Sequence, residues 1–180
     1  YLVAHGVIPR PVIEAVQEEL SQVVDQTARR LFEAGKITDL CLRHGFLTRL
    51  TELHRQCPEV LGPVTGGTHA GEAMFKLMTC PELLDAVGQL LGPEIIASSV
   101  YRIRPKLPFY EAGEVPWHQD SGYFHTMGDK KLILTCWVPL MNATMEAGAM
   151  EVVPRAHLDG VRRHFSAAIK APSLTVHPDH

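Results

Sequence analysis

The stretch VPWHQDSGY at residues 115–123 decides how the rest of the chain is interpreted. It holds an imidazole, His118, and a carboxylate, Asp120, two residues apart in a segment whose composition indicates an extended backbone. Side chains at positions i and i+2 of an extended segment point to the same face. A neutral imidazole and a carboxylate on one face supply two of the three ligands of the site that binds non-haem Fe(II) and leaves coordination positions open. We therefore expect His118 and Asp120 to hold one metal ion.

The His-x-Asp triplet is short, so its context must select among its occurrences. The same pattern recurs at His157 and at His177, and a bare match of this length carries a real risk of being incidental. Only His118 has aromatic residues on both sides, and these can wall an apolar pocket. Two alternatives stay open: a surface loop with an incidental His and Asp, and aromatic residues that belong to an ordinary core.

Composition excludes several classes of partner. With 46% apolar and 21% charged residues, the 180-residue chain is typical of one globular domain. A net charge of −3 gives no general electrostatic reason to bind nucleic acid or an anionic membrane. No apolar run approaches the roughly 20 residues that span a bilayer. The four cysteines are widely spaced, with no CxxC pair, which is typical of a reduced, cytoplasmic protein.

The first half of the chain has helical periodicity. Apolar residues at spacings of three and four predict a helix that starts near Pro11 and stops at Gly35. Further helices are predicted over 39–56 and, with an interruption near 79–81, over 73–91. The side chains expected to face inward in these two helices are Leu42, Phe46, Leu50, Leu53, Leu83, Leu84, Val87, Leu90 and Leu91.

The second half is rich in β-branched and aromatic residues. Strands are predicted over 95–104, 132–138 and 149–153, with Gly and Pro in the intervening loops. Helices followed by strands predict an α+β fold, in which the helices pack on one side of a sheet or barrel.

Three segments together resemble the phytanoyl-CoA dioxygenase family of Fe(II)/2-oxoglutarate oxygenases. They are WHQD at 117–120, TCWVPL at 135–140, and GAMEVVPRAH at 148–157, where Arg-Ala replaces the family's usual Gly-Ser before the histidine. Their order and spacing are more specific than the triplet alone, and the resemblance covers nearly the whole chain. It implies a double-stranded β-helix, the jelly-roll core of cupin-like proteins, with N-terminal helices packed on it. One oxygenase domain would span 1–180, with a mainly helical part at 1–93 and a β-helix part at 94–180.

The resemblance also implies a cofactor set and a function. The enzyme would be a dioxygenase that hydroxylates a small organic or acyl substrate with Fe(II) and 2-oxoglutarate, and its oligomeric state stays open. His118 and Asp120 would be the catalytic metal ligands. The residues implied to meet the 2-oxoglutarate are Gln119, Thr135, Trp137, Lys106 and Arg102, although the two basic residues are equally consistent with a solvated strand end.

The chain departs from the family pattern after His157. There the resemblance implies further strands with a distal histidine ligand and an arginine for 2-oxoglutarate. The remaining His164, His177 and His180 do not have the apolar strand context of that ligand. We therefore expect the β-helix part to be incomplete at the C-terminus. Two alternative functions remain: a non-catalytic cupin-like binding domain with an incomplete metal site, and a hydrolytic Zn²⁺ enzyme.

Overall fold

The computed structural model describes the chain in six stretches and divides it into two compact units. The helical unit comprises Ala4–Pro108 and Pro139–Asn142, and the C-terminal unit comprises Tyr1–Val3, Phe109–Val138 and Ala143–His180. The described residues are 1–65, 69–98, 101–110, 113–124, 132–167 and 173–176.

The described residues of the helical unit form four α-helices, and the first confirms its prediction. Its end at Gly35, where φ is +68°, forms a Schellman turn: the Lys36 N–H donates to Leu31 O at 2.8 Å and the Gly35 N–H to Phe32 O at 2.9 Å. None of the described helices is long and apolar enough to cross a membrane. The helices are α1 (Arg10–Glu33), α2 (Phe46–Gln56), α3 (Glu72–Met78) and α4 (Pro81–Leu91), with a 3-10 helix at Pro58–Val64.

The core of the helical unit lies between α1, α2, α3 and the 3-10 helix. One stripe of α1 is buried, and it packs on the 3-10 helix and on α3. Leu53 of α2, Val16 of α1 and Val60 of the 3-10 helix are fully buried. Truncating such a side chain to Ala typically costs about 2–5 kcal/mol of stability, so this junction holds the unit together.

The predicted start of the second helix is wrong: α2 begins at Phe46, and side chains bind the main chain of residues 38–41 instead. The carboxylate of Asp39 accepts a hydrogen bond from the Cys41 N–H at 2.7 Å, and Cys41 has a φ of +53°. The Gln56 side chain accepts from the N–H groups of Thr38 and Asp39 and donates to Asp39 O. Asp side chains that bond nearby main-chain groups compete with the helix in this way. Leu42, expected to face inward, is 62% exposed.

The interruption of the third predicted helix is confirmed, but most of its predicted core is not. It divides into α3 and α4 around Thr79 and Cys80. Among the predicted inward residues of α4, Val87 is buried, whereas Leu84 and Leu90 are 37% and 48% exposed. The reason is that α4 makes no extensive contact with another described helix or strand, so its apolar face is only partly covered.

The C-terminal unit contains one described sheet, a pair of antiparallel strands. Strand β1 (His164–Ala167) pairs with β2 (Ser173–Val176), with His164 opposite Val176 and Ala167 opposite Ser173. Short 3-10 helices occupy Asp120–Tyr123 and Ala156–Asp159.

The three strands predicted from composition are wrong where the structure describes them. Residues 132–138 and 149–153, and the described part of 95–104, have no strand pairing. An alternating sequence forms a strand only beside a hydrogen-bonded neighbour, and these segments have none within the described part of the chain. The described residues therefore combine helices with one small sheet and do not form a double-stranded β-helix.

A carboxylate on α1 caps the N-terminus of α3. Glu19 accepts hydrogen bonds from the N–H groups of Ala73 at 2.8 Å and Met74 at 3.2 Å, and from His69 Nε2 at 2.8 Å. Helix α3 has no side-chain cap of its own, since Gly71 is its N-cap residue. Burial raises the pKa of Glu19, but the hydrogen bonds outweigh burial, so that the pKa lies below its ordinary value of 4.5.

We predict that Glu19→Gln destabilises the protein near neutral pH by about 1–2 kcal/mol, because the ionised cap is lost. A carboxyl whose pKa is lower in the folded state stabilises the fold above its unfolded pKa, and this contribution disappears as the pH falls through the folded value. The difference between wild type and variant should therefore shrink as the pH falls below 4.5, the ordinary pKa of the carboxyl group. Urea unfolding between pH 3 and 7 measures it. The exposed neighbour Glu18→Gln is the control, and a gap that stays constant with pH would contradict the assignment.

Candidate metal centre

His118 and Asp120 lie on either side of one extended residue. Residue 119 has φ −109° and ψ 133°, and the 3-10 helix begins at Asp120. The two side chains consequently meet, with His118 Nε2 3.2 Å from Asp120 Oδ1. The i, i+2 spacing noted in the sequence thus brings both potential ligands to one place.

The hydrogen bonding of His118 fixes which ring nitrogen is free. Its Nδ1 is 2.7 Å from Pro116 O, and because a carbonyl oxygen only accepts, Nδ1 must carry a proton. In the neutral ring the Nε2 lone pair then faces the carboxylate oxygen of Asp120. Two facing acceptors require a cation, which is either a second proton on the ring or a metal ion.

The separation of the two acceptors fits a metal ion. Nitrogen and oxygen ligands at about 2.1 Å from one metal, and at right angles to each other, lie about 3.0 Å apart. The observed 3.2 Å is close to this value. One imidazole and one carboxylate are two of the three protein ligands that Fe(II) takes in open sites. The residues therefore fit the metal that the sequence predicts.

The second oxygen of Asp120 is held by Thr135, whose Oγ1 donates to Oδ2 at 2.5 Å. This hydrogen bond orients the carboxylate so that Oδ1 is the oxygen that faces His118. Groups that orient a ligand in this way tune its geometry and basicity. The predicted role of Thr135 as a 2-oxoglutarate contact stays a prediction, and its observed contact is with the candidate ligand.

Gln119 binds the main chain that leads into β1. Its Nε2 donates to Gly160 O at 2.9 Å, and its Oε1 accepts from the Arg162 N–H at 2.6 Å. Both polar atoms of the side-chain amide are therefore used within the chain. The predicted contact of Gln119 with 2-oxoglutarate stays a prediction, and it would have to share these atoms.

His164 contacts the segment between His118 and Asp120, a contact that the sequence interpretation did not predict. Its Nε2 accepts a hydrogen bond from the Gln119 main-chain N–H at 2.9 Å. His164 begins β1, although its sequence context did not predict a strand. The available signal was the pair of short β-prone runs HFSA and SLTV, which pair in the structure.

The aromatic residues expected to wall an apolar pocket around His118 are largely exposed: Trp117, Tyr123 and Phe124 are 54%, 49% and 44% exposed. The ring of Tyr123 meets the imidazole edge-on, with centroids 5.5 Å apart and planes at 88°. The carbonyl of Trp117 accepts from the Val176 N–H at 2.8 Å and from Thr175 Oγ1 at 3.1 Å.

The remaining predicted site residues are Trp137, Arg102 and Lys106. Trp137 belongs to the C-terminal unit and is 44% exposed. Arg102 and Lys106 belong to the helical unit, and Arg102 Nη1 donates to Tyr101 O at 3.0 Å. Their proposed roles toward 2-oxoglutarate stay predictions.

A third protein ligand is not found in the described ranges, which contain no metal-binding group of three or more His, Cys, Asp or Glu side chains. His177 and His180, the histidines at the C-terminal end of the sequence, lie outside the described residues.

Comparison with known proteins identifies relatives of the chain. Residues 1–171 match the family model for "Phytanoyl-CoA dioxygenase (PhyH)". Phytanoyl-CoA dioxygenase domain-containing protein 1 of Bos taurus is 30% identical over 110 residues, which are 60% of this chain and 35% of that protein. The Rattus norvegicus protein of the same name is 31% identical over 107 residues (58% and 34%), and the Danio rerio protein is 28% identical over 113 residues (58% and 35%).

The chain spans about a third of the length of these curated relatives. No solved structure matches it significantly. The family match covers nearly the whole sequence and includes all three segments on which the resemblance rested. The chain therefore belongs to the phytanoyl-CoA dioxygenase family.

Proposed function

We propose that the protein is an Fe(II)- and 2-oxoglutarate-dependent dioxygenase that hydroxylates a small organic or acyl substrate. The family generally consists of 2-oxoglutarate-dependent dioxygenases. The observation that carries the proposal for this chain is the 3.2 Å approach of His118 Nε2 to Asp120 Oδ1. We further propose that the complete fold is the jelly roll that the family implies.

In the proposed reaction His118 and Asp120 hold the iron. The bound iron and 2-oxoglutarate supply the oxidation, in which one oxygen atom of O₂ enters succinate as 2-oxoglutarate loses CO₂, and the other converts a substrate C–H to C–OH. The Pro116 carbonyl keeps the proton on Nδ1 of His118 and leaves Nε2 free. Thr135 holds Asp120 Oδ2, so the carboxylate stays oriented toward the metal. Trp137, Arg102 and Lys106 are proposed to contact 2-oxoglutarate.

A second candidate function is a non-catalytic binding domain of the same fold. It is favoured by one observation: the described residues offer two facing ligands and no third. The two candidates differ in whether 2-oxoglutarate is consumed. Succinate production therefore distinguishes them without knowledge of the substrate.

We predict that the wild-type chain converts 2-oxoglutarate to succinate when Fe(II) and O₂ are present. His118→Ala and Asp120→Ala should each lower the rate at least about 100-fold, because each removes a proposed metal ligand. His157→Ala is the matched control, since it alters the exposed histidine of another His-x-Asp triplet. Succinate is measured by mass spectrometry. Wild-type protein that binds Fe(II) without forming succinate would support the binding domain instead.

We predict that Thr135→Val weakens binding of Co(II), used as an air-stable substitute for Fe(II), by about 10-fold, because Asp120 Oδ2 loses its donor while the side-chain shape is kept. Thr135→Ser retains the hydroxyl and should bind Co(II) like wild type. Titrations followed by absorbance measure the affinity, and urea unfolding checks stability. If the valine and serine variants bind Co(II) equally well, the hydroxyl does not orient the ligand.

A further inference from the structure

The ring of His164 is held in one orientation by two main-chain partners. Its Nε2 accepts from the Gln119 N–H at 2.9 Å, and its Nδ1 is 2.7 Å from Arg162 O. An N–H group only donates and a carbonyl only accepts, so Nε2 is unprotonated and Nδ1 carries the proton. The imidazole is neutral and its lone pair is already used. His164 in this arrangement is therefore not a metal ligand, although it lies next to the centre.

The same ring packs directly against Gly122. A Cβ atom added at residue 122 would lie 2.6 Å from Cε1 and Nδ1 of His164 and 2.7 Å from Cγ. These distances are much shorter than van der Waals contact, so only glycine leaves room for the ring in this position. His164 thus touches the chain on both sides of Asp120, through the N–H of residue 119 and the backbone of residue 122.

The hairpin that carries His164 also holds the chain before His118. His164 lies opposite Val176 in the β1–β2 pair, and the Val176 N–H donates to Trp117 O at 2.8 Å. The side chain of Gln119 reaches the other way and binds the main chain at residues 160 and 162. The main chain is therefore fixed immediately before and immediately after His118.

We infer that His164 is a positioning residue of the metal centre, which fixes the main chain between His118 and Asp120 through the Gln119 N–H and the surface of Gly122. The inference rests on the proposed function, because the proposed function assigns His118 and Asp120 as metal ligands. Ligand sites require their groups within about 0.5 Å of the binding geometry, and outer partners are worth about 10- to 100-fold in metal affinity. His164 supplies this constraint at residue 119, just before the 3-10 helix at Asp120–Tyr123.

The test uses three variants and Mn(II) as the probe. His164→Leu removes the acceptor for the Gln119 N–H, and His164→Gln keeps an acceptor on a side chain long enough to reach it. Gly122→Ala keeps the imidazole but displaces it by contact. Gly88→Ala is the matched control, because nothing lies within 4 Å of the added Cβ in α4.

Mn(II) broadening of assigned amide resonances reports even weak site binding. Hydrogen exchange of the Gln119 amide, measured without metal, reports the hydrogen bond itself.

We expect His164→Leu and Gly122→Ala each to lower Mn(II) affinity about 10-fold and to speed exchange of the Gln119 amide at least 10-fold, with His164→Gln recovering most of both losses. Mn(II) affinity within twofold of wild type for both His164→Leu and Gly122→Ala would overturn the inference, as would a glutamine variant no better than leucine. His118→Ala separates the two proposals. If His118→Ala lowers Mn(II) affinity and His164→Leu does not, only the inference about His164 fails. If the wild-type protein binds no Mn(II) at residues 118 and 120, the proposed metal centre fails, and the inference fails with it.

Discussion

Residues 117–119 lie outside any helix or strand, so their main-chain polar groups need partners elsewhere. Val176 N–H and Thr175 Oγ1 donate to Trp117 O, Gln119 N–H donates to His164 Nε2, and Gly122 N–H donates to Gln119 O. Unpaired main-chain groups that are removed from water destabilise a fold by as much as a lost hydrogen bond. The same bonds that satisfy this segment also determine where His118 and Asp120 point, so the chemistry of the centre depends on the hairpin beside it.

The sequence predicted helices well where local signals agree with burial. Helix α1 combines an apolar stripe, Pro11 in its first turn and Gly35 at its end, and all three act within the helix itself. The start of the second helix was predicted wrongly because Asp39 and Gln56 bind the main chain of residues 38–41. The long-range bond of Gln56 depends on tertiary structure, which periodicity does not report. The strand predictions failed for a related reason. A strand needs a neighbour to pair with, and the alternation of residues within one segment does not specify that neighbour.

For the candidate centre, the sequence was informative about the two candidate ligands and silent about the groups that hold them in place. The spacing of His118 and Asp120 is local, and an extended residue between them is enough to bring them together. The bond from Thr135 to Asp120 spans 15 residues, and that from Gln119 to His164 spans 45. Nothing in the composition of residues 160–164 identifies the histidine as a partner of residue 119. Outer contacts of this kind follow from the fold, and they become visible only when the fold is known.

His118 and His164 share one local arrangement and differ in what faces the second nitrogen. Each has Nδ1 2.7 Å from the carbonyl two residues earlier, Pro116 O in one case and Arg162 O in the other. Each therefore presents an Nε2 lone pair of fixed direction. At His164 that lone pair meets an N–H donor and is satisfied without a cation. At His118 it meets Asp120 Oδ1, a second acceptor, and only a proton or a metal ion between them relieves the repulsion. The partner of Nε2, and not the histidine itself, thus distinguishes the candidate ligand from its support.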